Sequence, residues 1–213
     1  MATYRKFDWN RARKDFATYF NDFFHYTAGD WTVTVTGTGT SAVVAGAGGI
    51  LAVTTSGADN DARWAQATQE NFRFAADKKL QFVGRFSLSD ATDCDFFAGL
   101  YITDTDPVGG VSDGIYFRKL DGTNKLSFVV EKDAAETVIE VGTLTNGAYF
   151  DVEFYWDANG DKIDVFFNGT RVGGVVTTNA PNDEDLALSY GVQAGSAAAR
   201  TLNVDYIGAQ QQR

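Results

Sequence analysis

The sequence has few of the residue types that would indicate a disulfide-rich or metal-binding protein. Its 213 residues contain one cysteine (Cys94), one histidine (His25) and two prolines. A lone cysteine excludes an intramolecular disulfide and a multi-cysteine zinc site, and it is typical of a reducing compartment. The scarcity of proline and the lack of a low-complexity tail argue against long disordered linkers.

Long hydrophobic runs are also missing. No window approaches the roughly 18 apolar residues of a membrane span. The start "MATYRKFDW" has charges with no apolar segment behind them, so we expect no signal peptide. Hydrophobic residues nevertheless make up 44% of the chain, with 17 phenylalanines. This composition is sufficient for one large all-β domain around a single core.

Charge is unevenly distributed along the chain. The net charge is −10, yet residues 1–15 carry +3, which leaves −13 on the remainder. An acidic body repels nucleic acid and anionic membranes, so the sequence predicts neither as a partner. We interpret the basic, aromatic start as a tether to another protein. The partner-binding residues predicted there are Tyr4, Arg5, Lys6, Phe7, Trp9, Arg11, Arg13 and Lys14.

An aromatic stripe follows the basic start. Phe16, Tyr19, Phe20, Phe23 and Phe24 recur at i, i+3, i+4, i+7 and i+8, which predicts one face of an α-helix. The stripe either closes one end of its own domain or extends the partner-binding surface, and the sequence leaves both interpretations open. The predicted organisation is an arm and helix over residues 1–28 and one sandwich over 29–213.

From Trp31 onward the hydrophobic period changes to two, as in β-strands. "WTVTVTGTGT" alternates apolar residues with Thr, and "AYFDVEFYWDANGDKIDVFFNGTRVGG" predicts the clearest hairpin. Turn signals recur about every 8–12 residues and separate about ten to twelve strands. The sequence therefore predicts an all-β fold, an antiparallel two-sheet jelly-roll sandwich.

That hairpin, its "VFFNG" turn and the closing "LNVDYIGA" strand resemble the concanavalin A-like jelly roll (the lectin/glucanase and laminin-G type), from about Phe82 to Ile207. With its basic arm and acidic body, the whole chain resembles tailed-bacteriophage virion proteins, and among them capsid decoration (cement) proteins. The resemblance implies a structural protein on the capsid surface, assembled in the host cytoplasm, that stabilises the capsid. Its partner would be the major capsid protein or another virion protein, with homo-oligomers as an option and no cofactor.

Catalysis is not expected from the acidic residues. Jelly-roll glucanases use two carboxylates on one strand, in a pattern like E-x-D-x-x-E, because retaining hydrolysis needs an acid and a nucleophile about 5 Å apart. "DVEF" at 151–154 and "EKDAAE" at 131–136 come nearest to this arrangement, and we expect neither to provide it. Asp151 and Glu153 are interpreted as solvated carboxylates. The sequence thus predicts no catalytic residue and a protein that is not an enzyme.

Two acidic stretches are candidate metal sites. The weak calcium candidates in the first, "DANGDKID", are Asp157, Asn159, Asp161 and Asp164. This stretch lies between two predicted strands, where Asn-Gly is an ordinary hairpin signal. Asn168 stands where a calcium loop starting at Asp157 would need Glu. The second stretch, "TDTDPVGGVSD", is a Pro-Gly loop signal, so the sequence predicts turns in both and no metal site.

Glycan binding is the alternative function. Trp64 in "DARWAQATQE" has polar neighbours and is predicted to be displayed as a possible glycan contact, since an exposed aromatic ring can stack on a sugar. The alternative to a capsid protein is therefore a carbohydrate-binding module or a tail-associated adhesin on the same fold.

Overall fold

The protein is a sandwich of two antiparallel sheets, in a computed structural model that describes residues 15–213. The strands are β1 (Phe16–Asn21), β2 (Trp31–Thr36), β3 (Thr40–Val44), β4 (Ile50–Thr54), β5 (Ala62–Ala67), β6 (Phe72–Arg73), β7 (Leu80–Leu88), β8 (Cys94–Tyr101), β9 (Gly114–Lys119), β10 (Lys125–Lys132), β11 (Ala135–Thr143), β12 (Phe150–Trp156), β13 (Lys162–Phe167), β14 (Thr170–Val176), β15 (Asp185–Ala194) and β16 (Thr201–Gln212). The short helix α1 spans Pro107–Gly110, and single 3-10 turns span Ala28–Asp30 and Thr177–Asn179.

Sheet A has the strand order β14-β13-β12-β7-β16-β4-β3, and β1 also pairs with β16. Sheet B has the order β11-β10-β9-β8-β15-β5-β2, and β6 pairs with β15. Each sheet has eight strands, so the predicted all-β, two-sheet jelly-roll sandwich is confirmed. Within residues 15–213, no helix is long and apolar enough to cross a membrane.

The core lies between the two sheets and is rich in phenylalanine. The predicted hairpin forms as β12 and β13, and Phe154 is fully buried between the rings of Phe82 and Phe128, each with its centroid 5.6 Å away. Side chains on a strand alternate between the two faces. Every second residue of β12 therefore enters this core, as the sequence predicts.

The aromatic stripe forms a strand and a turn, so the predicted helix over residues 16–24 is wrong. β1 pairs antiparallel with the end of β16, from Phe16 opposite Gln212 to Asn21 opposite Ile207. β4 pairs with β16 only up to Val204, which leaves the rest of that edge to β1. Pairing with an open sheet edge satisfies backbone groups that an isolated short helix would expose. Residues 16–21 therefore belong to sheet A.

Two turns show where local sequence sets the backbone. Asn168 and Gly169 have φ angles of 48° and 73°, the left-handed values of a two-residue type I′ hairpin turn, so the turn predicted from "VFFNG" is confirmed. Asn159 and Gly160 are not among the residues with positive φ. They lie instead in a longer loop between Trp156 and Lys162.

Candidate functional site

The outer face of sheet B carries a second hydrophobic cluster, separate from the core between the sheets. It arises because successive side chains of a strand point to opposite faces of the sheet. Every second side chain of β5, β8, β9 and β10 therefore points away from sheet A. The loop 102–113, which contains α1, packs over this face. The members of the cluster are Ala62, Trp64, Phe97, Tyr101, Val111, Tyr116 and Val129, with Val108 packed against them.

Trp64 lies in the floor of this face and is 1% exposed. Its ring meets that of Phe97 edge-on, with centroids 5.7 Å apart. The ring also covers Gly191 on β15, where a Cβ would lie 2.3 Å from Trp64 Cε3. The predicted display of Trp64 is therefore wrong: β5 is an interior strand of sheet B, and its outward side chains are covered despite their polar sequence neighbours.

A cleft of about 460 Å³ opens on this face between the sheet and the loop that carries α1. Its walls combine amide, hydroxyl and carboxylate groups with an apolar floor. The residues lining this outer-face cleft are Thr36, Asn60, Trp64, Thr105, Asp106, Val108, Gly109 and Gln193. A volume of this size suits a small molecule or one or two sugar rings.

Two amides form the sheet side of the cleft. Gln193 Nε2 donates to Asn60 Oδ1 at 3.1 Å, and the Asn60 backbone N–H donates to the carbonyl of Ala194 at 2.9 Å. Asn60 has a φ of 62°, a conformation that asparagine tolerates better than most residues. These contacts fix the orientation of both amides.

The turn before Asn60 is held by the carboxylate of Asp61. Its Oδ2 accepts from the Ser56 hydroxyl at 2.5 Å and from the Ala58 N–H at 2.9 Å. These hydrogen bonds, that from Ser56 first, lower the pKa of the Asp61 carboxyl. The residue beside Asn60 is therefore a charged anchor of the turn.

The other wall of the cleft is the loop 102–113. It is attached to the sheet by Gln66, which is buried in β5. Gln66 Oε1 accepts from the N–H of Asp104 at 3.0 Å, and Nε2 donates to the carbonyl of Ile102 at 3.3 Å. The side chain of Asp106 accepts from the Gly109 N–H and caps α1. Both sides of the cleft are thus set by hydrogen bonds within the protein.

The acidic stretch 131–136 does carry the letters E-x-D-x-x-E, although the chain does not run along one strand there. Asp133 and Ala134 have φ angles of 51° and 61°, so they form the turn between β10 and β11. Glu131 and Glu136 consequently face each other across the hairpin. Asp-Ala is not one of the residue pairs that usually indicate positive φ values in a hairpin turn, so the pairing of the two strands sets this conformation.

The two glutamates have different surroundings. Glu131 is buried and accepts from the Tyr116 hydroxyl at 2.5 Å. Burial raises the pKa of its carboxyl, more than the hydrogen bond lowers it. Glu136 is partly exposed and pairs with Arg118 at 2.9 Å. Glu131 and Glu136, on two neighbouring strands, therefore differ from the two carboxylates on one strand that jelly-roll glucanases use.

The predicted partner-binding residues divide into two groups. Tyr4, Arg5, Lys6, Phe7, Trp9, Arg11, Arg13 and Lys14 lie outside the described residues. Of the stripe, Phe16, Tyr19 and Phe20 are half-buried, and Phe23 is fully buried. Phe24, 69% exposed, is the one member on the surface. The stripe therefore offers little aromatic surface to a partner.

Two of the four weak calcium candidates form ion pairs within the protein. Asp157 pairs with Lys79 at 2.9 Å, and Asp164 pairs with Arg171 on the neighbouring strand at 2.6 Å. Asn159 and Asp161 lie in the loop between β12 and β13. Across residues 15–213, no group of three or more His, Cys, Asp or Glu side chains is arranged to hold a metal ion.

No family model and no curated protein matches the chain. Solved structures do match it. The β-glucanase of Bacillus licheniformis is 13% identical, with a TM-score of 0.62, and the match covers 92% of this chain and 98% of the glucanase chain. The endo-β-1,4-glucuronan lyase of Trichoderma reesei is 14% identical, with a TM-score of 0.60, and the match covers 90% of this chain and 94% of the lyase chain. A carbohydrate esterase of Shiga toxin-encoding bacteriophage phi24B is 16% identical, with a TM-score of 0.54, and the match covers 85% of this chain and 90% of the esterase chain.

These neighbours confirm the resemblance to the lectin/glucanase jelly roll at the level of the fold. They contradict the prediction that the protein is not an enzyme, because all three are carbohydrate-active enzymes. Identities of 13–16% show the fold rather than this chain's activity. The capsid assignment stays a prediction from the sequence.

Proposed function

We propose that the protein binds a neutral oligosaccharide in the outer-face cleft. The observation that supports this best is the cleft itself: about 460 Å³ walled by the amides of Asn60 and Gln193 and the hydroxyls of Thr36 and Thr105. Side-chain amides and hydroxyls can both donate and accept hydrogen bonds. They therefore match sugar hydroxyl groups, which also do both.

The charge of the lining favours a neutral sugar over an acidic one. Asp106 is the charged residue among those lining the cleft, and none of them is Lys or Arg. A uronate would bring a second negative charge toward Asp106 without a cation to neutralise it, which costs binding energy. The cleft therefore fits hexose units without carboxyl groups.

Rigidity supports the same proposal. Gln66 attaches the loop wall to β5, and Asp61 anchors the turn that presents Asn60. A cleft whose polar groups are already oriented loses less conformational entropy on binding. The floor is equally fixed, because the Trp64 ring is wedged over Gly191.

Binding is tested by calorimetry or ligand-observed NMR with a panel of neutral β-linked glucan oligomers and matched uronate oligomers. The variant Gln193→Ala removes one amide from the cleft. We expect it to weaken binding of the neutral oligomers by about 1 kcal/mol, or roughly fivefold in Kd, as the loss of one hydrogen bond does.

Gln210→Ala is the matched control. Gln210 is 8% exposed against 9% for Gln193, yet it lies on β16 in sheet A, so the control should bind like the unmodified protein. Equal losses in the two variants, or unchanged affinity in Gln193→Ala, would place the sugar elsewhere. Failure of every oligomer to bind would end the proposal.

Capsid attachment remains a second proposal that rests on the sequence. Its support is the contrast between the +3 of residues 1–15 and the −13 of the remainder. A chain starting at Phe16 should lose co-sedimentation with the particle that carries the protein, whereas the full chain should retain it. Full occupancy by the shortened chain would contradict attachment through these residues.

A further inference from the structure

Three neighbouring strand segments at one side of the sandwich contain no charged residue. Residues 31–58 contain no Asp, Glu, Lys, Arg or His, and they form β2, β3 and β4. β2 is the last strand of sheet B and β3 the last strand of sheet A. Since β11 and β14, the other two end strands, pack against each other, β2 and β3 mark the opposite side of the sandwich. We call it the β2–β3 side.

β3 is an open edge with an apolar surface. Among the described strands it pairs only with β4. Val43 and Val44 on β3 are each 41% exposed, and Val35 on β2 is 38% exposed. Proteins usually protect such an edge with lysine, proline or an inward-pointing charge. β3, with the sequence TSAVV, has none of these.

A cation beside this edge is held by two hydrogen bonds. Arg63 on β5 donates from Nε to Ser41 Oγ at 2.6 Å and from Nη1 to the carbonyl of Gly39 at 3.0 Å. The two contacts fasten β3 and the β2–β3 connection to sheet B. Arg63 therefore stiffens the edge strand, and the two hydrogen bonds hold its guanidinium against Ser41 and Gly39.

We propose that β3 pairs antiparallel with β3 of a second copy of this chain. Antiparallel pairing of a strand with itself around a two-fold axis places residue i of one copy opposite residue j of the other and j opposite i, so only a residue on the axis meets its own equivalent. Like charges directly opposite one another are destabilising. The sequence of β3 (Thr, Ser, Ala, Val, Val) brings no such pair together, and its small side chains allow the two backbones to approach to about 4.8 Å.

Charge on the rest of the molecule favours this one face. Two copies with a net charge of −10 each repel. The edge strand β11 carries Glu136 and Glu140, and β14 carries Arg171, so self-pairing of either would bring like charges of the two copies into the interface. The β2–β3 side is where an acidic copy can meet another without that cost.

The proposed interface is small, and its size limits the expected affinity of the dimer. A five-residue strand is only about 17 Å long, and contacts of that size belong to weak, concentration-dependent complexes. We expect a dimer that forms in the micromolar to submillimolar range. Raising the salt concentration should strengthen it, because salt screens the repulsion between the two acidic bodies.

Sedimentation velocity of the full chain over a concentration series tests the proposal, with Val43→Lys as the disrupting variant and Val172→Lys as its matched control. Val172 is also 41% exposed and lies on the edge strand β14 of the same sheet. We expect Val43→Lys to be monomeric wherever the unmodified protein dimerises, and Val172→Lys to dimerise normally.

Val44→Lys, checked for folding by its melting temperature, is a second disrupting variant in case Val43→Lys does not fold. An unmodified protein that stays monomeric up to about 1 mM would overturn the proposal, since that leaves less than about 4 kcal/mol for association. Dimers that survive both β3 substitutions, or that are lost in Val172→Lys alone, would also overturn it.

Discussion

Glu153 lies on the outward face of β12, and only 5% of its surface is exposed. Gln81 Nε2 donates to Glu153 Oε1 at 2.6 Å, and Gln210 Nε2 donates to Gln81 Oε1 at 2.6 Å. Burial raises the pKa of the Glu153 carboxyl to about 7, outweighing the hydrogen bond from Gln81, which lowers it. The expectation of a solvated carboxylate is therefore wrong for Glu153. Asp151, two residues earlier, is partly exposed and pairs with Arg85 at 3.1 Å.

This burial predicts a pH dependence of stability. Because the folded-state pKa of Glu153 lies above its ordinary value of 4.5, its stabilising contribution is complete below that value and is lost as the pH rises through about 7. From about pH 5 to about pH 8, we expect the unmodified protein to lose roughly 2 kcal/mol of unfolding free energy relative to Glu153→Gln. Denaturant titration at each pH measures the difference.

Glu140→Gln serves as the control for this prediction. Glu140 is half exposed and pairs with Lys125 at 2.8 Å, and such surface pairs contribute little. The pH profile of the control should follow that of the unmodified protein. A Glu153→Gln profile parallel to both would show that Glu153 has an ordinary pKa.

At the scale of the elements, β1 and the turn after it complete sheet A and the core. The Asn21 side chain accepts from the Phe23 N–H at 2.8 Å, and Phe23 adopts a φ of 53°. The turn thereby brings the Phe23 ring edge-on to Tyr190, with centroids 6.2 Å apart. Tyr19 on β1 meets Trp31 in the same way at 5.9 Å. The segment thus acts as a structural part of the sandwich.

We therefore expect a chain that starts at Thr27 to be much less stable than one that starts at Phe16. The shorter chain loses β1 and a fully buried phenylalanine, and the latter alone costs about 3–5 kcal/mol. Thermal or denaturant unfolding of the two truncated chains measures the difference, and the chain starting at Phe16 is the control. Equal stabilities would mean that the pairing of β1 with β16 contributes nothing.

At the scale of the whole molecule, many of the described acidic side chains accept hydrogen bonds from backbone N–H groups or pair with basic residues. Asp113 Oδ1 accepts from the Asp133 N–H at 3.1 Å, and Asp104 Oδ1 accepts from the Asp106 N–H at 2.8 Å. Asp90 accepts from two backbone N–H groups, and these hydrogen bonds lower its pKa. These carboxylates position loops through their hydrogen bonds to the backbone.

We expect, accordingly, that chelator leaves the melting temperature unchanged. A bound ion stabilises only the folded state, so removing it would lower the melting temperature. Differential scanning fluorimetry with and without chelator measures this, and readdition of calcium is the control. A drop that calcium restores would show that an acidic loop binds the ion after all.

The sequence by itself determined the fold class. The period-two alternation from Trp31 onward, the phenylalanine-rich strands and the Asn168–Gly169 turn are local signals, since each depends on side-chain spacing or on one backbone conformation. These signals suffice for two antiparallel sheets and for the hairpin of β12 and β13. They also place Phe154 in the core.

Where a local sequence pattern fits two environments, only the tertiary structure decided which secondary structure and which degree of burial the residues have. The spacing of Phe16, Tyr19 and Phe20 suits a helix, yet the unpaired end of β16 makes a strand there more favourable. Trp64 has polar neighbours but lies under the loop between β8 and β9, which is distant from Trp64 in the sequence, and Asn60 meets Gln193 across 133 positions of sequence. Burial and long-range pairing are properties of the assembled sheets, so the cleft could not be found from the order of residues.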